Sequence, residues 1–179
     1  MTRVMIDLET MGLNSNAAIT AIGAVVIDPE PDGSQKKFYT EICLVDNQIN
    51  GRHIDANTIL WWMRQEDSAR EHLNSFKRIK FKEAIEGFDK FLTLEVGATE
   101  LWANGTSFDN AILADAYRQL GLSWEFWKDR CYRTLKEMYP GVKKESFEGT
   151  KHNALDDAKM QAKHLLAIEH QIDENTSQY

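Results

Sequence analysis

Cysteine is almost missing from this chain: Cys43 and Cys131 are the only two in 179 residues. Two thiols make neither a disulfide scaffold nor a zinc cluster, so a reducing compartment, a cytoplasmic one, is expected. Long apolar runs are missing too. None approaches the roughly 20 residues that cross a bilayer, and the apolar N-terminus is interrupted by Asp7 and Glu9. Neither export nor a membrane partner is expected. Positive charge is also in short supply, with 21 Lys and Arg against 28 Asp and Glu for a net charge of -7. That excludes a protein holding nucleic acid mainly by a broad basic surface. An enzyme whose acids collect cations is not excluded, because bound cations supply the positive charge locally. The basic groups at Lys77, Arg78, Lys80 and Lys82, and at Lys143, Lys144 and Lys151, read as solvated faces.

What is present suffices for one α/β domain over residues 1–172, with 42% hydrophobic residues to build its core. Residues 173–179 are polar and read as a disordered tail. The segment Arg3-Val4-Met5-Ile6-Asp7-Leu8-Glu9-Thr10-Met11-Gly12 reads as a buried strand ending in a turn. Ile19 to Ile27 and Lys37 to Leu44 follow in strand fashion, giving an antiparallel meander. Helical spacing then takes over, with Ile59, Trp62, Met63 and Glu66 on one stripe and Ala84, Ile85, Phe88, Phe91 and Leu92 on another. Leu101-Trp102-Ala103 followed by a helix over 107–120 is the βα half of a parallel unit. A short strand near Arg130, a helix from Thr134 to Tyr139, a mobile loop over 142–151 and a last helix over 154–172 complete the chain.

The chemistry lies in the acids. Side chains alternate along a strand, so Asp7 and Glu9 share a face that Leu8 does not. Two carboxylates held close at the end of a core element repel each other, which makes sense if a divalent cation sits between them. Asp109 follows Asn104-Gly105-Thr106-Ser107-Phe108 at the start of a helix that Ser107 is placed to cap. An acid there also complements the positive helix N-terminus. In Lys151-His152-Asn153-Ala154-Leu155-Asp156-Asp157, Asn153 can cap the last helix. At about 100° per residue the buried stripe is centred on Ala154, Leu155, Ala158, Ala162 and Leu165. Asp156 points away from it, as a solvated capping acid, and Asp157 lies on its flank. Asp157 is therefore the acid that can reach a site.

The ordered set Asp7, Glu9, Asp109, His152 and Asp157 resembles the DEDD superfamily of 3′-to-5′ exonucleases, in the branch whose last motif is His, four residues, Asp. The Thr58-Ile59-Leu60-Trp61-Trp62 segment and Arg133-Thr134 are similar to a branch containing phage exonuclease A, exonuclease VIII-like enzymes and a mycobacterial family of 3′-to-5′ exoribonucleases. The resemblance implies a ribonuclease H-like fold: a five-stranded mixed sheet, three strands antiparallel and then two parallel, flanked by helices. It implies two Mg²⁺ or Mn²⁺ ions held by Asp7, Glu9, Asp109 and Asp157, with Asp7 between them, and His152 as the general base. The implied partners are single-stranded nucleic acid 3′ ends, of RNA or DNA, and a homodimer is compatible with it.

Trp61, Trp62 and Phe108 are the aromatic candidates for stacking on a base. Trp62 aligns with Ile59 and Glu66 and Trp61 with neither, so one is expected buried and the other free. Ser107 and the turn Thr10-Met11-Gly12 stand beside the site, where backbone groups near Met11 and the Glu9 carboxylate are placed to hold a free 3′-hydroxyl. Two rival readings share the acids: a ribonuclease H-like endonuclease of the resolvase type, and a catalytically silent nucleic-acid-binding module. The histidine of the last motif favours the exonuclease over the first, and the intact five-residue set favours it over the second.

Overall fold

The computed structural model describes residues 1–176. Its sheet has the order β3-β2-β1-β4-β5, with β1 Arg3–Thr10, β2 Ile19–Val26, β3 Lys37–Glu41, β4 Glu100–Ala103 and β5 Asp129–Cys131. β1, β2 and β3 pair antiparallel, and β4 and β5 join β1 in parallel, which is the mixed ribonuclease H-like sheet the motifs imply. The helices are α1 Leu44–Ile49, α2 Ala56–Trp62, α3 Asp67–Asn74, α4 Phe81–Lys90, α5 Asp109–Gln119, α6 Tyr132–Met138 and α7 Ala154–Thr176. No described helix is long and apolar enough to cross a membrane.

The alternation of β1 sorts its side chains onto two layers. Val4, Ile6 and Leu8 enter the larger core with Phe81, Ile85 and Phe88 of α4 and Ile112 and Leu113 of α5. Met5 points the other way, into a smaller cluster with Val25 and with Ala158, Ala162, Leu165 and Ile168 of α7. Asp7 and Glu9 continue the Met5 face. At roughly 25 cal/mol per Å² of apolar surface removed from water, the larger layer carries most of the hydrophobic stabilisation and leaves the α7 face free to hold polar groups.

Four local expectations are corrected. The α2 stripe is not buried, since Ile59 and Met63 are 40% and 65% exposed and Trp62 alone turns inward. α1 and α3 are helices beyond those expected, and α1 is held by buried Asn47, whose side chain bonds both N and O of Ile19 at 3.0 and 2.9 Å. Nor does the last helix stop at 172. No Gly or Pro interrupts it, Ile172 packs on the α7 cluster and His170 pairs with Glu174 at 3.5 Å, so the expected tail is helical to Thr176. Residues 177–179 of that tail lie outside the described residues. Finally, the 142–151 loop is pinned: His164 Nε2 lies 2.8 Å from Val142 O, and Asp156 accepts from Thr150 N at 3.1 Å.

Candidate active site

The site forms where β1 outruns β4. β4 pairs with β1 only from Arg3 to Ile6, so the edge of β1 beyond Ile6 has no strand beside it. The Leu8 N–H on that edge donates to Asp109 Oδ1 at 3.2 Å, which ties the first turn of α5 to the strand. A backbone donor without a ladder partner thus fixes an acid in place. Ser107 does not cap α5: it is exposed, and the cap position falls to Phe108 with no side-chain bond. The Leu8 bond takes over the task of holding the turn.

α7 supplies the remaining acid through a close approach. Gly23 of β2 is the register partner of Asp7, and a Cβ built on it would lie 2.2 Å from the Ala154 carbonyl carbon and 2.3 Å from Leu155 N. Any side chain there would push α7 off the sheet. With glycine in that place, Asn153 Oδ1 caps the helix by accepting from Leu155 N and Asp156 N, each at 3.2 Å, and Asp157 arrives over β1. One oxygen from each of Asp7, Glu9 and Asp157 then falls within 4.8 Å of the others. Asp109 is outside that set. Asp156 faces away, bound to Thr150 N and paired with Lys159 at 3.0 Å, so it anchors the preceding loop instead of standing free in solvent.

Crowded and dry, these carboxyls hold protons tightly. Burial, with Asp109 and Glu9 adjacent, pushes Asp7 well above the ordinary carboxylate range, and burial with Asp157 adjacent does the same to Glu9. Burial raises Asp109 to about 7 against the opposing pull of the Leu8 N–H. Asp157 is raised by burial, opposed by the His152 N–H. Three oxygen donors, Glu9 buried and Asp7 and Asp157 half-buried, that cannot comfortably ionise together are a fitting donor set for a hard divalent cation. A second sign is Gln161, one turn after Asp157. Its Nε2 donates to Asp7 Oδ1 at 2.7 Å while its buried Oε1 has no hydrogen-bond partner.

His152 sits at the rim with φ 61, a conformation few non-glycine residues adopt. Its N–H donates to Asp157 Oδ2 at 2.8 Å, so the backbone strain is held by the same acid that joins the cluster. Its ring lies 5.0 Å from Trp61, edge to face. Beside it a cavity of about 600 Å³ is lined by Leu8, Glu9, Thr10, Leu13, Trp61 and Phe108, among others. Trp61 is 41% exposed there. Trp62 is buried and donates from Nε1 to Thr10 O at 2.9 Å, so the helical spacing separated the two tryptophans correctly. The turn behaves differently from expectation. Met11 N donates to Ala18 O and Met11 O accepts from Asp55 N, so its backbone is not open to a 3′-hydroxyl. Neither Met11, Gly12 nor Ser107 lines the cavity, whereas Thr10 and Phe108 do.

The sequence reading missed Gly23, Gln161 and the Asp156 loop anchor. A glycine inside an otherwise β-rich run was the available signal for the first. Gln161 carries a weaker one, a polar residue four after Asp157 between Ala158 and Ala162.

Comparison with known proteins gives the family and the fold. The 3′-5′ exoribonuclease Rv2179c-like domain family matches residues 2–169. An exodeoxyribonuclease of Enterobacteria phage T4 is 26% identical over 163 residues, covering 74% of this chain and 70% of that protein. Among solved structures, cell-death related nuclease 4 superposes with a TM-score of 0.63 at 16% identity over 95% of this chain. This chain spans 64% of that nuclease, short of two thirds of its length. The nuclease domain of 3′hExo, a DEDDh family member bound to rAMP, superposes with a TM-score of 0.63 at 14% identity, over 96% of this chain and 92% of that one. The match over nearly the whole chain, on a sheet that gathers Asp7, Glu9, Asp109, His152 and Asp157 at one end, places this protein in the Rv2179c-like 3′-5′ exoribonuclease domain family.

Proposed function

We propose that the enzyme hydrolyses phosphodiester bonds one nucleotide at a time from the 3′ end of single-stranded nucleic acid or overhangs, releasing nucleoside 5′-monophosphates. The observation that carries this reading is the close set of Asp7, Glu9 and Asp157 with the His152 N–H bonded to Asp157. Asp7, Glu9 and Asp157 would hold one divalent cation, and Asp7 with Asp109 would support a second, Mg²⁺ or Mn²⁺ in each case. When bound, two such ions offset the charge of the scissile phosphate and of the attacking and leaving oxygens.

The protein's own groups do the rest. His152 takes a proton from the attacking water, whose oxygen forms a bond to phosphorus as the bond to the 3′-oxygen of the penultimate nucleotide breaks. That oxygen collects its proton from solvent. Trp61 and Phe108 flank the terminal base in the cavity, and the Glu9 carboxylate beside Thr10 faces the 3′-hydroxyl. A cavity of this size suits one terminal nucleotide and not the interior of a duplex.

RNA and DNA both fit this description, the matching family being described by the first and the phage relative by the second. Matched 5′-labelled RNA and DNA strands, each ending in a free 3′-hydroxyl or a 3′-phosphate, with a circular single strand beside them, test it. Stepwise shortening is expected only with a free 3′ end and only with divalent metal. Efficient cutting of the circle would move the protein to the endonuclease reading. Inertness toward every strand, with metal bound, would support the silent module.

A further inference from the structure

The far side of the carboxylates from His152 holds a group of cations. Arg133 and Lys136 project from α6 at the C-terminal ends of β4 and β5, and Lys144 follows in the pinned loop. Lys136 Nζ lies 5.6 Å and Lys144 Nζ 5.9 Å from the centre of the Tyr132 ring, and Lys136 donates to Asn104 Oδ1 at 3.4 Å. A methyl built on Gly105 would lie 3.4 Å from the Arg133 guanidinium, so that group spreads over the Gly105 backbone. Among the described residues none of the three cations has a carboxylate within 4.0 Å.

Their placement is built. Tyr132 is fully buried, its hydroxyl 2.6 Å from His164 Nδ1, and the other nitrogen of the same imidazole holds Val142 O, two residues before Lys144. One buried pair therefore fixes both the ring under the lysines and the loop that brings the second of them. Burial and the neighbouring Lys136 charge hold the Lys144 ammonium below the ordinary lysine range, while Asp157 and Asp7 pull it upward. Like charges gathered this way are costly unless an anion joins them.

The reaction geometry says which anion. In the strand order β3-β2-β1-β4-β5, Asp7 is central, and His152 lies toward β3, where the adjacent Asn153 reaches Tyr39 at 3.4 Å. In an in-line displacement the leaving oxygen departs opposite the attacking water. Water activated at His152 therefore expels the penultimate nucleotide toward β4 and β5. We propose that Arg133, Lys136 and Lys144, with Asn104, form a binding track for the phosphodiester backbone immediately 5′ of the scissile bond, making the phosphate on the far side of the leaving nucleoside a determinant of substrate choice. This rests on the exonuclease reading for its direction, but binding tests it without turnover.

In a His152→Ala background with Mg²⁺ present, the affinity for a short single strand is measured across a salt series. Single strands lose counterions with a slope of about 0.7 per phosphate neutralised, so the added substitutions Lys136→Gln and Lys144→Gln are expected to flatten the log-log slope by about 1.4. The pair Lys82→Gln and Lys90→Gln, on the opposite layer, should leave it alone. An unchanged slope, or an equal change in the control pair, overturns the proposal. With His152 intact, a dinucleotide bearing a 5′-phosphate should be cleaved faster than one without it, and the double lysine variant should bring that ratio close to one. An equal fall on both dinucleotides would overturn the track. Failure to degrade any strand would count against the exonuclease reading, with the salt slope still deciding the track.

Discussion

Along β1 the two sides of one strand do opposite work. Val4, Ile6 and Leu8 face an apolar layer in which side chains fill space, and what that layer requires is volume. Met5, Asp7 and Glu9 face α7, where the requirement is closeness: a helix must start almost on the backbone of β2 so that a third acid arrives. The first side tolerates a smaller side chain at a modest cost. The second tolerates no side chain at all at Gly23.

The largest expected difference between the two sides is catalytic. Asp157→Asn should abolish nucleotide release, because it removes one of three clustered donors, yet it should leave the metal-free protein at least as stable, since one like charge is gone. Release assays together with melting curves check both halves. A folded, active Asp157→Asn enzyme would remove that acid from the site.

Next comes stability. Gly23→Ala should cost about 3 kcal/mol, the upper range for overpacking, because the obstacle is backbone. Ile6→Val on the other side should cost about 1 kcal/mol and keep turnover per folded molecule. Denaturant titration compares them, and a neutral Gly23→Ala would mean that α7 can shift without loss.

The pH dependence separates the sides more finely. Asp7, Glu9, Asp109 and Asp157 all have folded values raised above their unfolded ones, so the metal-free folded state binds the extra protons. The associated stability is complete below the ordinary carboxylate range of about 4 and is lost as pH rises through the folded values, about 7 for Asp109. Melting temperature without metal should therefore fall from about pH 4 to about pH 8, and the gain on adding Mg²⁺ should grow over the same window. A metal effect independent of pH would contradict this. Smallest of all, Asp156→Asn should cost under about 1 kcal/mol by loosening Thr150 and should leave turnover within a few-fold.

How far the sequence could be read follows the same division. Strand alternation placed Asp7 and Glu9 together, and helix geometry chose Asp157 over Asp156 and set Trp61 and Trp62 on different faces, because each is a matter of one element's own period; which tryptophan is buried depends on what α2 packs against. The Ser107 cap and the open Met11 backbone failed because their hydrogen bonds were taken by distant partners, Leu8 with Asp109 and Ala18 with Met11. Gln161 and the place of Lys144 depend on which helix lies over which strand. No local pattern carries that.

Gly23 also bears on how the protein comes to be folded correctly. Side chains alternate along a strand, so a slip of one residue between β1 and β2 would bring Ile22 or Ala24 to face α7 and turn glycine toward the apolar layer. The first turn of α7 could not then dock, and its apolar stripe would stay in water. Misregistered chains are thus left open and visible to proteases, while a chain that has closed α7 over the sheet has, by that act, assembled its acids.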